Sequence, residues 1–406
     1  MLTLALGLLA LSPARAQAPL TGDLGLWTDV TFPAVRPPTT ACDDAGVCAA
    51  FWPIWLDEQK AQIDLMGAVV SPSGVTAPVV LRSVGLIGQP IAVGLQKGFA
   101  LFYDGADFET GQFSATVLQL FGEDLIPTRP PIPLHYLGTR FATYEGTSSV
   151  VRTRDGFALL GISAPPGGGL YASLAFVNMA GRLQHSPVQL SPPTLGSGLG
   201  LAIQPNGDLV AVYSSQTTPN RGDCSQVFAR RIAPSGRLLG PAVAIADTAC
   251  YQEFPAVGVA ADGTFLVAWN STSVNSVTGV VGPTAIVAER FSAQARPPGK
   301  PFRVSQSVAA LLPVISVDPN SHYFVVWTGL DSSGATADIK GRWLETDGTP
   351  ITPELTLNAA QDDLDQLSPQ VAVASGGLAV VTWQITVPPS GLSIVASVAR
   401  VFTTPP

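Results

Sequence analysis

Five carboxylates fall in two short stretches near the start of the chain, Asp57 with Glu58, then Asp104, Asp107 and Glu109. Two carboxyl groups on either side of a glycosidic bond serve as acid and base, so this set is a candidate for polysaccharide hydrolysis or lyase chemistry. Trp55, Arg140 and Tyr144 add aromatic surface and one cation in the same region. Together these eight residues also suit a face that only binds, either a sugar or a basic peptide segment. An ordinary acidic surface is the plain alternative.

No other motif offers a stronger reaction centre. The chain has no Gly-x-Ser-x-Gly and no phosphate-binding loop. His135, His185 and His322 stand far apart, and none has a second ligand at a coordinating spacing. Asp362, Asp363 and Asp365 lack the glycine and alternating oxygen ligands of a calcium loop. No metal or cofactor is therefore expected. Arg221-Gly222-Asp223 spells an integrin-recognition tripeptide, read as a chance occurrence, and Asn270-Ser271-Thr272 a glycosylation sequon that would matter only in a eukaryotic host.

The elements that must carry these residues repeat. A turn residue followed by alternating apolar positions recurs at Gly46, Gly98, Gly156, Gly207, Gly263, Ser321 and Gly377, at intervals of 51 to 58 residues. An aromatic stands six positions later in five units: Trp52, Tyr213, Trp269, Trp327 and Trp383. Each unit reads as four short strands, A before the turn, B after it, then C and D. Such a unit cannot bury both sheet faces alone, which predicts an all-β fold, a seven-bladed β-propeller. The last unit lacks a D strand, while Leu24 to Phe32 is spare at the other end. The expectation is that this N-terminal segment completes the last blade and removes two open edges.

The phrases Pro369-Gln-Val-Ala, Asp262-Gly-Thr-Phe-Leu-Val-Ala-Trp269 and the Arg230-Arg231 end of strand C resemble secreted bacterial β-propeller repeat proteins. The resemblance covers almost all of the mature chain and implies blades without implying a chemistry. Residues that recur at the same position in several units are read as architecture: the aromatics fill the wedge between sheets, and Arg230, Arg231, Arg290 and Arg342 pair with neighbouring carboxylates or carbonyls. Function is then expected among unrepeated groups, in loops over units one and two.

Residues 1–18 read as a signal peptide and 19–406 as the propeller, because Met1 to Leu11 is apolar and Ala14-Arg15-Ala16 supplies small residues for cleavage. Four cysteines in an exported chain imply two disulfides, and the blade register pairs Cys42 with Cys48 and Cys224 with Cys250. A net charge of −8 with only four lysines argues against nucleic acid. Every apolar run is too short to span a bilayer. The composite expectation is a secreted, periplasmic or cell-surface monomer that presents its loops to a glycan or protein without catalysis, with polysaccharide hydrolase or lyase as the alternative.

Overall fold

The computed structural model describes residues 19–27, 36–57, 62–84, 89–106, 113–134, 149–163, 169–193, 195–216, 224–245, 250–274, 281–297, 299–307, 309–330, 336–359, 364–386 and 394–405. They form an all-β propeller. The repeated turn residues explain its hairpins. Gly46, Gly98, Gly207, Gly263 and Gly377 lie at φ between 78° and 89°, with Ser321 at 71° in the same position. A left-handed residue there closes the turn between strands A and B. Gly263 N, for example, donates to Ala260 O at 2.9 Å.

Strand B is buried on both faces. In Tyr323–Leu330 the first seven residues are all buried, as are the first six of Phe265–Val274. Such strands read as continuous apolar runs because a neighbouring sheet covers each side. The repeated aromatics Trp52, Tyr103, Tyr213, Trp269, Trp327 and Trp383 are all fully buried within clusters that join adjacent sheets. Their structural assignment holds. So does that of Arg230, Arg231 and Arg342. Arg230, Arg342 and Arg400 occupy matching positions and donate through Nη1 to Leu190 O, Val304 O and Leu357 O, the carbonyls that end strand D of the preceding unit. Arg231 Nη2 instead meets Asp208 Oδ2 at 2.8 Å.

The strands assemble into six hydrogen-bonded sheets, and here the expectation of seven separate blades is corrected. Five sheets of four or five strands stand apart as blades; units four and five are joined in one sheet of eight. The cause is local. Cys224 and Cys250 are disulfide-bonded with Cα atoms 4.8 Å apart, which sets Ser225 beside Tyr251 in a parallel pair, with Ser225 N donating to Cys250 O at 3.0 Å. The second disulfide joins Cys42 to Cys48 across the first A–B turn.

Leu24–Trp27 pairs antiparallel with Ile394–Thr403, Leu24 opposite Ala399 and Trp27 opposite Ser397. Residues 28–35 lie outside the described residues, so the rest of the expected strand does too. Leu26 is buried among Trp52, Met66 and Val401, a cluster shared by the first and last units. Asp23 reinforces the junction, with Oδ1 2.9 Å from Arg400 Nε and Oδ2 accepting from Ala359 N at 3.0 Å.

Two stability outcomes follow from these junctions. Leu26→Ala removes a buried side chain where the first unit meets the last and should cost about 2 to 5 kcal/mol in urea unfolding; an unchanged midpoint would mean that the N-terminal strand adds nothing. Replacing Cys224 and Cys250 together by serine should cost about 3.5 kcal/mol for a loop of this length. Hydrogen exchange should then accelerate first at Ser225 and Tyr251, the residues that hold units four and five in one sheet.

Candidate functional site

Strands Cys48–Asp57 and Phe99–Ala106 are the B strands of adjacent units, and they start from turns that touch. Gly98 N donates to Asp43 Oδ2 at 2.8 Å and Asp44 N to Leu95 O at 2.9 Å. Their far ends therefore emerge together on the opposite face, which brings Trp55, Asp57 and Asp104 to one side of the ring by backbone alone. The side chains of these three are outside the described residues. Glu58, Asp107, Glu109, Arg140 and Tyr144 lie outside them altogether.

Three of the cavities lined by described residues have no described carboxylate in their walls. The first, of about 240 Å³, is the central channel. Inner strands of all seven units reach it: Thr39, Ile91, Val150, Leu201, Val257, Ile315 and Val371 each contribute one wall. Its narrowing is built by a bulge repeated in three units. Phe254, Leu312 and Ser368, each followed by proline, sit at φ of 50° to 56° where the strand register shifts. Neighbouring B strands hold two of them, Leu312 N donating to Asn270 Oδ1 and Ser368 N to Thr328 Oγ1. Left-handed non-glycine residues cost about 1 to 3 kcal/mol each and persist only where surroundings impose them. Their recurrence makes them part of the ring. It also buries Asn270, at 4% exposure, so the sequon belongs to the core and offers no glycosylation site.

A second cavity, of about 700 Å³, lies between the D strand of unit three and the sheet of unit four. Tyr213 stands where three later units carry Trp, and its smaller ring stacks on Phe228 with centroids 5.6 Å apart. Tyr213 OH and Arg230 Nη1 both donate to Leu190 O, at 3.2 and 2.5 Å. Burial pushes the Tyr213 hydroxyl above its usual pKa, and Arg230 opposes the shift. Gln189, Gln216 and Gln226 complete a polar wall. The sequence reading passed over this groove because Tyr213 and Arg230 were assigned to the repeat; the signal was the Tyr in place of Trp, with Gln226 and Phe228 beside it.

Ionisable side chains also stand at the A–B turns. His322 has Nδ1 3.0 Å from Asp318 Oδ2 and Nε2 3.6 Å from Glu345 Oε2. Asp318 stands four residues earlier and also accepts from His322 N at 2.8 Å, so the carboxylate orients the turn. Among the described residues no group of three such side chains is arranged to hold a metal ion. Burial would raise the Asp262 carboxyl, but hydrogen bonds from Thr264 and the charge of Arg290 bring it below its usual value. Burial pushes Tyr323 up to about 12, its hydroxyl donating weakly to Thr264 O at 3.4 Å.

No protein-family model matches this chain, and no curated protein matches it. Solved structures do. A protein of unknown function from Dyadobacter fermentans superimposes with a TM-score of 0.53 at 11% identity, over 97% of this chain and 100% of that one. Penicillium chrysogenum α-L-arabinanase, complexed with arabinobiose, gives 0.50 at 12% identity, over 94% and 98%. Kuenenia stuttgartiensis hydrazine synthase gives 0.53 at 12% identity, over 87% and 96%. The likeness is one of fold. Glycan chemistry and nitrogen chemistry both occur on it, so the site must decide.

Tyr323 supplies a pH signature for the fold that surrounds these sites. Its unfolded pKa is near 10 and its folded one about 12, so its contribution is complete below pH 10 and is lost as pH rises toward 12. Between pH 8 and pH 11 the wild type should lose about 1.4 kcal/mol more stability than Tyr323→Phe, measured by urea unfolding at each pH. Equal losses would place the hydroxyl in a wetter environment than its burial implies.

Proposed function

We propose that this protein is an exported, glycan-directed β-propeller that hydrolyses polysaccharide, with acid and base drawn from Asp57, Glu58, Asp104, Asp107 and Glu109. The observation that carries this reading is the backbone arrangement of units one and two. Their B strands end side by side on the face opposite the A–B turns, with Asp57 and Asp104 within those ends. Glycosidases need two carboxyls about 5 to 10 Å apart, a separation that adjacent sheets can provide. Trp55 would offer a platform for a sugar ring, and Arg140 and Tyr144 would come from the connector into unit three. The shared fold with an arabinanase that holds arabinobiose supports a glycan as the ligand and arabinan as the first substrate to try.

The same reading takes the ring as seven-bladed, the eight-stranded sheet counting as two blades, with Leu24–Trp27 closing it against the last unit. Seven inner strands around one channel support that count. Two disulfides suit an oxidising compartment, and export of residues 19–406 after removal of 1–18 fits them.

A second reading is a module that binds glycan or protein without turnover, with Trp55, Arg140, Tyr144 and the same carboxylates as its contact surface. Reducing-sugar release from arabinan and a panel of plant and bacterial polysaccharides by residues 19–406 separates the two. The hydrolase reading expects turnover that falls about 100-fold or more in Asp57→Asn or Asp104→Asn. Turnover that survives both substitutions would move the catalytic pair elsewhere. Absence of turnover, with binding that Trp55→Ala weakens, would establish the second reading.

A further inference from the structure

We propose that the groove between units three and four binds an anionic saccharide, its ring resting on Phe228 and its carboxylate meeting Arg230. This goes beyond the hydrolase reading and does not depend on it, since the groove shares no residue with the carboxylates of units one and two.

The argument is a comparison of equivalent positions around the ring. Arg230, Arg342 and Arg400 make the same bond to the preceding D strand, so that bond belongs to the repeat. Exposure separates them. Arg342 and Arg400 are buried, at 6% and 9%, whereas Arg230 is half-buried and forms part of a cavity wall. Unit four carries Tyr213 in the groove wall, where the later units have Trp269, Trp327 or Trp383 at the matching position.

The neighbours of Arg230 have also changed. In register against the aromatic of strand B stand Phe228, Val287, Lys340 and Val398 in successive units. Unit four alone has a ring at that place, and it is half-buried and stacked on Tyr213. Unit six fills its corresponding groove with an ion pair, Lys340 Nζ to Asp338 Oδ2 at 2.7 Å. Unit four has uncharged Gln226 in the position of Asp338, leaving Arg230 the one charged residue in the lining.

That lining selects the ligand. A single cation with no carboxylate in the wall favours an anion, and bonding of Arg230 Nη1 to Leu190 O holds the guanidinium in place to meet it. Gln189 and Gln226 are anchored through Nε2 to Ser191 O and Ile245 O, at 2.8 and 3.1 Å, so their amides are pre-oriented for hydroxyl groups. One ring among several amides and hydroxyls suits a sugar better than an aromatic acid. The volume, about 700 Å³, lies within the range of small-ligand sites.

Calorimetric titration of the disulfide-intact protein with trigalacturonate, neutral galactotriose and acetate tests this. Trigalacturonate should bind with a dissociation constant of about 1 mM or tighter. Galactotriose should bind at least about tenfold more weakly, the cost of one lost charge-assisted contact, and acetate should give no measurable heat. Phe228→Ala should weaken trigalacturonate binding about tenfold. Arg230→Gln should abolish the preference for the charged trisaccharide. Because Arg230 also holds Leu190, Gln226→Glu provides a second variant that leaves that bond intact and should repel trigalacturonate about tenfold. No binding of trigalacturonate at 10 mM (about the upper practical limit for such weak ligands) overturns the proposal. So does equal affinity for the two trisaccharides, or binding that is unchanged in Gln226→Glu.

Discussion

Everything in this fold depends on sheets that cannot cover both of their own faces. A four-stranded sheet with a B strand as apolar as Phe324-Val325-Val326-Trp327 exposes a hydrophobic surface on either side unless another sheet lies against it. The wedge between two such sheets is filled by one large ring in six of the units, and in three of them the outer edge is tied by an arginine that reaches the preceding unit's D strand. Contacts of this kind are made only between neighbours. The stability of the ring is then a sum over junctions, and the junctions that differ from the rest are informative.

Two of them differ strongly. Between units four and five Glu289 stands where three other units have arginine, and the Cys224–Cys250 disulfide draws both sheets into one. A covalent link at the junction that lacks the arginine offsets the missing bond to the D strand. Between units three and four the arginine is present but lines a groove, with Tyr213 and Phe228 beside it. One departure strengthens the ring and the other coincides with a groove in it.

The channel shows the same distinction between repeated and unrepeated structure. Phe254, Leu312 and Ser368 adopt a backbone conformation that in a single copy would suggest a reactive site. Three copies, two supported from the adjacent B strand, mark the conformation as a means of turning the inner strand toward the axis. A constraint that serves the ring leaves the channel lined by described residues without an ionisable side chain.

Much of this was legible in the sequence because turn chemistry and burial are local. Glycine at the A–B turns, rings six residues on and paired cysteines at hairpin and loop positions could be read one unit at a time, and the spare strand at Leu24 followed from counting edges. What the sequence could not supply was the relation between units. Whether Ser225 would hydrogen-bond to its neighbour's inner strand, whether Asn270 would face solvent or hold a bulge, and whether Asp318 would meet His322 all depend on distances set by packing. The groove between units three and four lies in that second category. Its residues look like ordinary members of the repeat until adjacent sheets are placed together, and only then does its volume appear.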